Sequence, residues 1–156
     1  MSPNLAKTLR IGHVRYSTCG DSNVSNAQPL EGHCKLGQIA IAHNGTLTNA
    51  KIVRELLEET GAVFQSTIDS EVILSLTSRK ASKGLEQAIV DAINMIQGAY
   101  AIVMTVEGKL VGVRDPHGIR PLCLGLLKEG EYVLSSESCG LDAVGATYVR
   151  DIEPGE

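Results

Sequence analysis

Apolar residues recur at helical spacing through the middle third of the chain. The spacing predicts three helices, which run over residues 50–60, 69–78 and 85–96. Thr48 or Asn49 can cap the first helix, while Gly61 and Gly98 can end the first and third. The periodic apolar positions are Ile52, Val53, Leu56, Leu57, Val72, Ile73, Leu76, Ile89, Ile93 and Ile96.

Short β-rich runs flank this helical region. They predict strands at residues 36–42, 100–106, 110–113, 122–127 and 132–136. Asn44-Gly45, a strong turn signal, is predicted to end the first strand, and residues 106–110 have the spacing of a tight hairpin. We therefore expect antiparallel sheet with helices packed on its apolar side.

The polar stretches define the remaining organisation. Residues 19–37 are rich in Gly, Ser, Asn and Asp without an apolar period, which predicts a long loop. Loops of that length are commonly functional, so we expect a substrate lid there. Residues 1–10 are expected to be an exposed lead-in, and residues 11–156 to form one unit, because the chain of 156 residues is too short for two complete domains.

Charge and composition exclude several classes of partner. The net charge is −4 and the basic residues form no stripe, so a nucleic-acid partner is not expected. No apolar run approaches the roughly 20 residues that cross a bilayer, so no membrane association is expected and the predicted location is cytoplasmic. The four cysteines are irregularly spaced without a Cys-x-x-Cys pair, which favours free thiols over disulfides or a structural metal site.

Three short segments have two interpretations each. Arg15 is either a surface cation or a two-pronged clamp for a carboxylate. Asn44-Gly45 is either a hairpin turn or an oxyanion hole, in which each donor stabilises a tetrahedral intermediate by about 3 to 4 kcal/mol. Asp69 is either a helix-start residue favoured by the macrodipole or the partner of a substrate ammonium group. An amino acid carries one charge of each sign, which Arg15 and Asp69 match.

The order of these segments resembles that of the class II glutamine amidotransferases, which are N-terminal-nucleophile hydrolases. The segments are His-Val-Arg-Tyr-Ser-Thr at 13–18, His-Asn-Gly at 43–45 and Asp-Ser-Glu at 69–71. Further segments at 114–122, 136–139 and 153–156 are similar to the amidophosphoribosyltransferase family. The resemblance covers residues 11–156.

The resemblance implies a fold and a set of roles. The fold is α+β, a four-layer αββα sandwich of two antiparallel sheets. Arg15 would hold the α-carboxylate of glutamine, with Tyr16 and Thr18 on the loop beside it. Asn44 and Gly45 would form the oxyanion hole, and Asp69 would receive the α-ammonium group. The implied reaction releases ammonia from glutamine for phosphoribosylamine synthesis, the first step of purine biosynthesis.

One departure from the family pattern concerns the nucleophile. The family uses a cysteine as the first residue, activated by its own α-amine, whereas this sequence begins Met1-Ser2-Pro3. Only about a dozen residues precede Arg15, too few for the strands that the family places there, so we expect a domain incomplete at its N-terminal end and inactive alone. The alternatives are a catalytically dead glutamine-binding module and an assembly module.

The resemblance also bears on partners and cofactors. The phosphoribosyltransferase domain that completes the family's reaction is absent from these 156 residues. No cofactor is expected within the chain. Full-length members use magnesium with phosphoribosyl pyrophosphate, and some bind an iron–sulfur cluster elsewhere. The expected partners are glutamine, that second domain and further copies of the chain in a homo-oligomer.

Overall fold

The computed structural model describes residues 9–14 and 24–156. Seven strands in this part of the chain are β1 (Leu30–Cys34), β2 (Gly37–Leu47), β3 (Gly98–Val106), β4 (Lys109–Arg114), β5 (Cys123–Leu126), β6 (Tyr132–Ser135) and β7 (Thr147–Asp151). Four α-helices are α1 (Ala50–Glu59), α2 (Ser70–Lys80), α3 (Leu85–Ile93) and α4 (Ser138–Ala143). Short 3-10 turns lie at Val24–Asn26 and Ala81–Lys83.

The first sheet has the order β1-β2-β3-β4, and all its pairings are antiparallel. Successive side chains of a strand alternate between the two faces, so β2 and β3 each present one apolar row to the helices. Ile39, Ile41, Ile102 and Met104 belong to this row, and each is fully buried. They pack with α1, α2 and α3 in the largest apolar cluster of the protein.

The second sheet has the order β6-β5-β7 and packs on the other face of the first. Ala101 of β3 contacts Leu122 and Ile152 between the two sheets. On the outer face of the second sheet, Leu141 of α4 packs against Cys123. Helices, sheet, sheet and helix therefore follow one another as four layers, which confirms the predicted α+β sandwich.

Two predictions about the region before α1 are wrong. Residues 30–34 of the predicted loop form β1, whose side chains alternate between half-buried and exposed positions against β2. Asn44-Gly45 does not turn the chain, because β2 continues to Leu47 with both residues paired to β3. Partner strands outside the local sequence supply the hydrogen bonds that a turn would otherwise have made.

The predicted helices exist, with differences at their ends. The third ends at Ile93 rather than residue 96, and Gly98 begins β3 instead of closing the helix. Asn49 precedes α1 but does not cap it, because its side chain bonds Met95 and Gln97 of the distant 95–97 segment. Gly61, at φ 88°, does follow the end of α1 as predicted.

Burial agrees with the predicted inner face in α2 but only partly in α1. Val72, Ile73 and Leu76 are buried. In α1, Val53 and Leu57 face the core, whereas Ile52 is 70% exposed. The sequence pattern also failed to predict α4 and β7. None of the helices in the described residues is long and apolar enough to span a membrane.

Candidate functional site

A cavity of about 590 Å³ opens between the two sheets where β2 approaches α2. Asn44, Gly45 and Asp69 all line it, although Asp69 is 24 residues beyond Gly45 in the chain. Arg120 and Glu137 contribute charged groups from the side of the second sheet. The fold therefore brings the predicted oxyanion-hole residues and the predicted ammonium partner to a single space.

The outer edge of β2 presents backbone donors to this space. β1 ends its pairing at Leu30, opposite Ile41, so the rest of that edge of β2 is left without a neighbouring strand. The N–H of His43 donates instead to the side-chain oxygen of Gln28 over 2.6 Å, and the side-chain nitrogen of Gln28 donates back to the His43 carbonyl over 3.3 Å. The amide of Gln28 thus replaces a strand at this point.

The backbone N–H of Gly45 lies on the same edge. Backbone N–H groups alternate sides along an antiparallel strand, so those of His43, Gly45 and Leu47 point the same way. Gln28 accepts from the first, and Asp69 Oδ2 accepts from the third over 2.9 Å. The Gly45 donor lies between two anchored neighbours, each roughly 7 Å away along the strand.

Glycine is required at position 45 by both conformation and space. Its φ of 146° lies in a region that residues with a side chain rarely adopt. A Cβ atom there would collide with the carbonyl oxygen of Ala99 in β3. Glycine therefore allows β2 and β3 to pair closely at position 45, where the backbone N–H faces the cavity.

The Asp69 carboxylate is held on both of its oxygens. Oδ2 accepts the Leu47 N–H, and Oδ1 lies 3.4 Å from Nδ1 of His43. Burial alone would raise the pKa of Asp69, but the hydrogen bond from His43 and the Leu47 N–H lower the pKa below its usual value. The side chain remains 19% exposed, so an ionised carboxylate faces the cavity.

The segment that carries Asp69 is fixed by two charged side chains. Arg54 of α1 donates to the carbonyl oxygens of Ser66 and Ile68 over 3.1 and 3.0 Å. Glu71 of α2 accepts the backbone N–H groups of Gln65 and Ser66, each over 2.8 Å. These contacts set the backbone position from which Asp69 reaches β2.

A buried carboxylate organises the turn that brings Arg120 to the cavity. Asp115 is fully buried and accepts the N–H groups of His117, Ile119 and Arg120 over 2.9, 3.2 and 3.1 Å. Burial opposes ionisation of Asp115, but these backbone donors hold its pKa below the usual value. Arg114 closes the same turn by donating to the carbonyl oxygens of Gly118, Arg120 and Ile152.

The remaining predicted site residues, Arg15, Tyr16 and Thr18, lie outside the described residues, so their roles stay predictions. His13 and Val14, just before them, line the cavity. Sequence reasoning did not identify Gln28 or Asp115, whose contacts join distant parts of the chain. The only signal for His43 in the sequence was its position directly before Asn44-Gly45.

The three described cysteines are free thiols, as predicted: Cys34, Cys123 and Cys139. Cys139 lines the cavity and its Sγ lies 3.5 Å from Oε2 of Glu137. Cys123 is buried away from solvent, which raises its pKa. The described residues contain no cluster of three or more metal-ligating side chains. The described residues therefore provide no set of thiolates that would hold an iron–sulfur cluster.

The two face-to-face antiparallel sheets, flanked by helices and with the site at the end of a central strand, define an N-terminal-nucleophile hydrolase fold. Sequence comparison matches residues 13–143 to the glutamine amidotransferase domain. The chain belongs to this family, and within it to the glutamine amidotransferase domain of the amidophosphoribosyltransferases.

The similar proteins support this assignment. Amidophosphoribosyltransferase 3, a chloroplastic protein of Arabidopsis thaliana, is 44% identical over 98% of this chain and 29% of its own length. The Synechocystis amidophosphoribosyltransferase is 47% identical over 96% of this chain and 31% of its own. A solved structure of glutamine phosphoribosylpyrophosphate amidotransferase from B. subtilis, complexed with ADP and GMP, superposes with a TM-score of 0.83 at 40% identity, covering 91% of this chain and 30% of that one. The chain thus spans less than a third of the length of these relatives.

Proposed function

We propose that this chain forms the glutamine-binding wall of a glutaminase site. The observation that carries the proposal is the convergence of Asn44, Gly45 and Asp69 on one cavity in a chain of this family. Asp69 binds the α-ammonium group, and Arg15 binds the α-carboxylate, with Tyr16 and Thr18 beside it. The two charges of the amino acid are then matched by two opposite charges of the protein.

The reaction at this site is acyl transfer from the side-chain amide of glutamine. A thiolate attacks the amide carbon, the tetrahedral intermediate expels ammonia, and water hydrolyses the resulting thioester to glutamate. Negative charge develops on the amide oxygen during attack. The Gly45 N–H and the side-chain amide of Asn44 are the donors that stabilise it, each by about 3 to 4 kcal/mol where such donors have been removed from other enzymes.

The ammonia has a defined use in the proposed whole protein. It passes to a phosphoribosyltransferase domain, where it displaces pyrophosphate from phosphoribosyl pyrophosphate to give phosphoribosylamine. The names of the relatives support this reaction for them. Magnesium and an iron–sulfur cluster, where present, would serve parts outside these residues. Assembly as a homo-oligomer in the cytoplasm is part of the same proposal.

Calorimetric titration with glutamine tests the binding role. Replacing the charged partner of the ammonium group removes about 1.5 to 3 kcal/mol, which corresponds to a roughly 10- to 150-fold weaker affinity for Asp69→Asn. Asp91→Asn is the matched control, because Asp91 pairs with Lys83 and does not line the cavity.

We expect the control to bind glutamine as the wild type does. Absence of glutamine binding by the wild-type chain at millimolar concentration would refute the proposal. So would an Asp69→Asn variant that binds within two-fold of the wild type.

A further inference from the structure

His43 contacts Asp69, the proposed ammonium-binding carboxylate, from the helical side of the first sheet. It belongs to the same side-chain row of β2 as Ile39 and Ile41, so it points into the helical layer rather than between the sheets. The residue is only 3% exposed. Its Nδ1 atom lies 3.4 Å from Oδ1 of Asp69 and 3.2 Å from Oγ of Ser70. The ring therefore contacts Asp69 while its own side chain is only 1% exposed.

The surroundings of the ring favour one tautomer. The other ring nitrogen, Nε2, is buried and has no hydrogen-bond partner among residues 9–14 and 24–156. A proton on Nε2 would allow Nδ1 to accept from the Ser70 hydroxyl, but it would leave a buried donor unsatisfied and place the bare Nδ1 3.4 Å from the carboxylate oxygen of Asp69. A proton on Nδ1 instead lies between two acceptors, Asp69 Oδ1 and Ser70 Oγ, and leaves only a lone pair without a partner. The geometry selects the Nδ1–H form.

We propose that His43 is a positioning residue that sets the orientation of the Asp69 carboxylate through this Nδ1–H group. Its 3.4 Å contact with Oδ1 and the Leu47 N–H bond to Oδ2 hold the carboxylate from two directions. A carboxylate has about four acceptor positions, so others remain for a ligand ammonium group. This inference rests on the proposed function, because it assigns His43 to the selection of an α-amino acid.

Two variants of His43 separate the effect of the hydrogen-bond donor from that of the ring's bulk. His43→Leu keeps a side chain of similar bulk and removes the donor, whereas in His43→Asn the side-chain NH2 takes the approximate place of Nδ1–H. Each protein is titrated with glutamine and with 4-carbamoylbutanoate, which is glutamine without its α-amine. The second ligand cannot use Asp69, so the ratio of the two affinities measures the ammonium contact alone.

Loss of one hydrogen bond to a charged group is expected to weaken glutamine binding by His43→Leu about ten-fold. Binding of 4-carbamoylbutanoate should stay within two-fold, and His43→Asn should recover most of the glutamine affinity. Equal weakening of both ligands, or no rescue by asparagine, overturns the positioning role while leaving the proposed function intact. A wild-type chain that binds neither ligand overturns the proposed function and this inference together.

Nitrogen-15 NMR of the ring gives a test that needs no ligand. In the wild-type chain we expect the Nδ1–H tautomer of His43, recognised by the shifts of its two nitrogens and their couplings to the ring protons. Asp69→Ala removes the acceptor and should change the Nδ1 signal. A wild-type ring that carries its proton on Nε2 overturns the proposal even if both Leu and Asn variants fail to fold.

Discussion

Replacement of Asp115 by asparagine isolates the contribution of one buried charge without changing side-chain volume. Asp115 is fully buried and accepts the N–H groups of His117 and Ile119 on Oδ1, and of Arg120 and Tyr100 on Oδ2. The amide of asparagine can accept on only one side. Whichever way the amide is rotated, its NH2 group faces the backbone N–H donors on the other side.

The size of the effect follows from these contacts. With the asparagine oxygen toward His117 and Ile119, the variant loses the 3.1 Å bond from Arg120 and the longer 3.4 Å bond from Tyr100. A hydrogen bond to a charged group contributes about 1.5 to 3 kcal/mol, and we discount the longer one. The expected loss in the free energy of unfolding is therefore about 2 to 4 kcal/mol, a large share of the roughly 5 to 15 kcal/mol typical of a domain.

Urea unfolding at pH 7, followed by far-ultraviolet circular dichroism, measures this loss. We expect a lower midpoint with an unchanged slope against denaturant. Asp142→Asn, at an exposed position of α4, is the matched control and should change stability by less than about 0.5 kcal/mol. A loss below about 1 kcal/mol for Asp115→Asn would refute the account of this turn.

The pH dependence has a definite sign. The pKa of Asp115 is lower in the folded state than its usual value of 3.8. Its ionised form therefore stabilises the fold fully above that value, and the contribution is lost as the pH falls through the folded-state pKa. The difference in stability between the wild type and Asp115→Asn should accordingly shrink as the pH is lowered below 3.8. A difference that grows on acidification would contradict this.

Two further substitutions test other parts of the site. Gly45→Ala should lower the free energy of unfolding by at least about 3 kcal/mol, because it combines a strained backbone with a collision at Ala99. The control Gly37→Ala has positive φ but open space, so it should lower the free energy of unfolding by about 1 kcal/mol. Equal losses in thermal unfolding would contradict this. Arg54→Met removes the two hydrogen bonds to carbonyl oxygens before Asp69 and should speed amide hydrogen exchange at residues 66–69, with the exposed Lys51→Met as the unaffected control.

The amino-acid sequence by itself determined the elements whose signals are local. Helical spacing of apolar residues predicted α1, α2 and α3, because the periodicity of side chains along a helix is fixed by its backbone geometry. The Glu107-Gly108 turn was also predictable from the hairpin spacing of residues 106–110, and both residues adopt positive φ between β3 and β4. The ordered motifs, including Asp69 and Asn44-Gly45, gave the family resemblance.

Tertiary structure decided how the same residues are used. Asn44-Gly45 forms part of a strand rather than a turn, because β3 lies alongside it with a register that no local pattern contains. β1 lies in a polar segment, and its half-buried alternation is visible only once β2 is its neighbour. A strand at a sheet edge needs few apolar residues, so its sequence resembles a loop.

The candidate site depended most on tertiary structure. The contact of His43 with Asp69 joins residues 26 positions apart, and Gln28 satisfies the β2 edge from 15 positions before His43. Sequence supplies the donors and acceptors but not their partners, because hydrogen-bond partners are set by which strands and helices pack together. The free edge of β2, where Gly45 faces the cavity, exists only because β1 ends its pairing before the chain reaches that point.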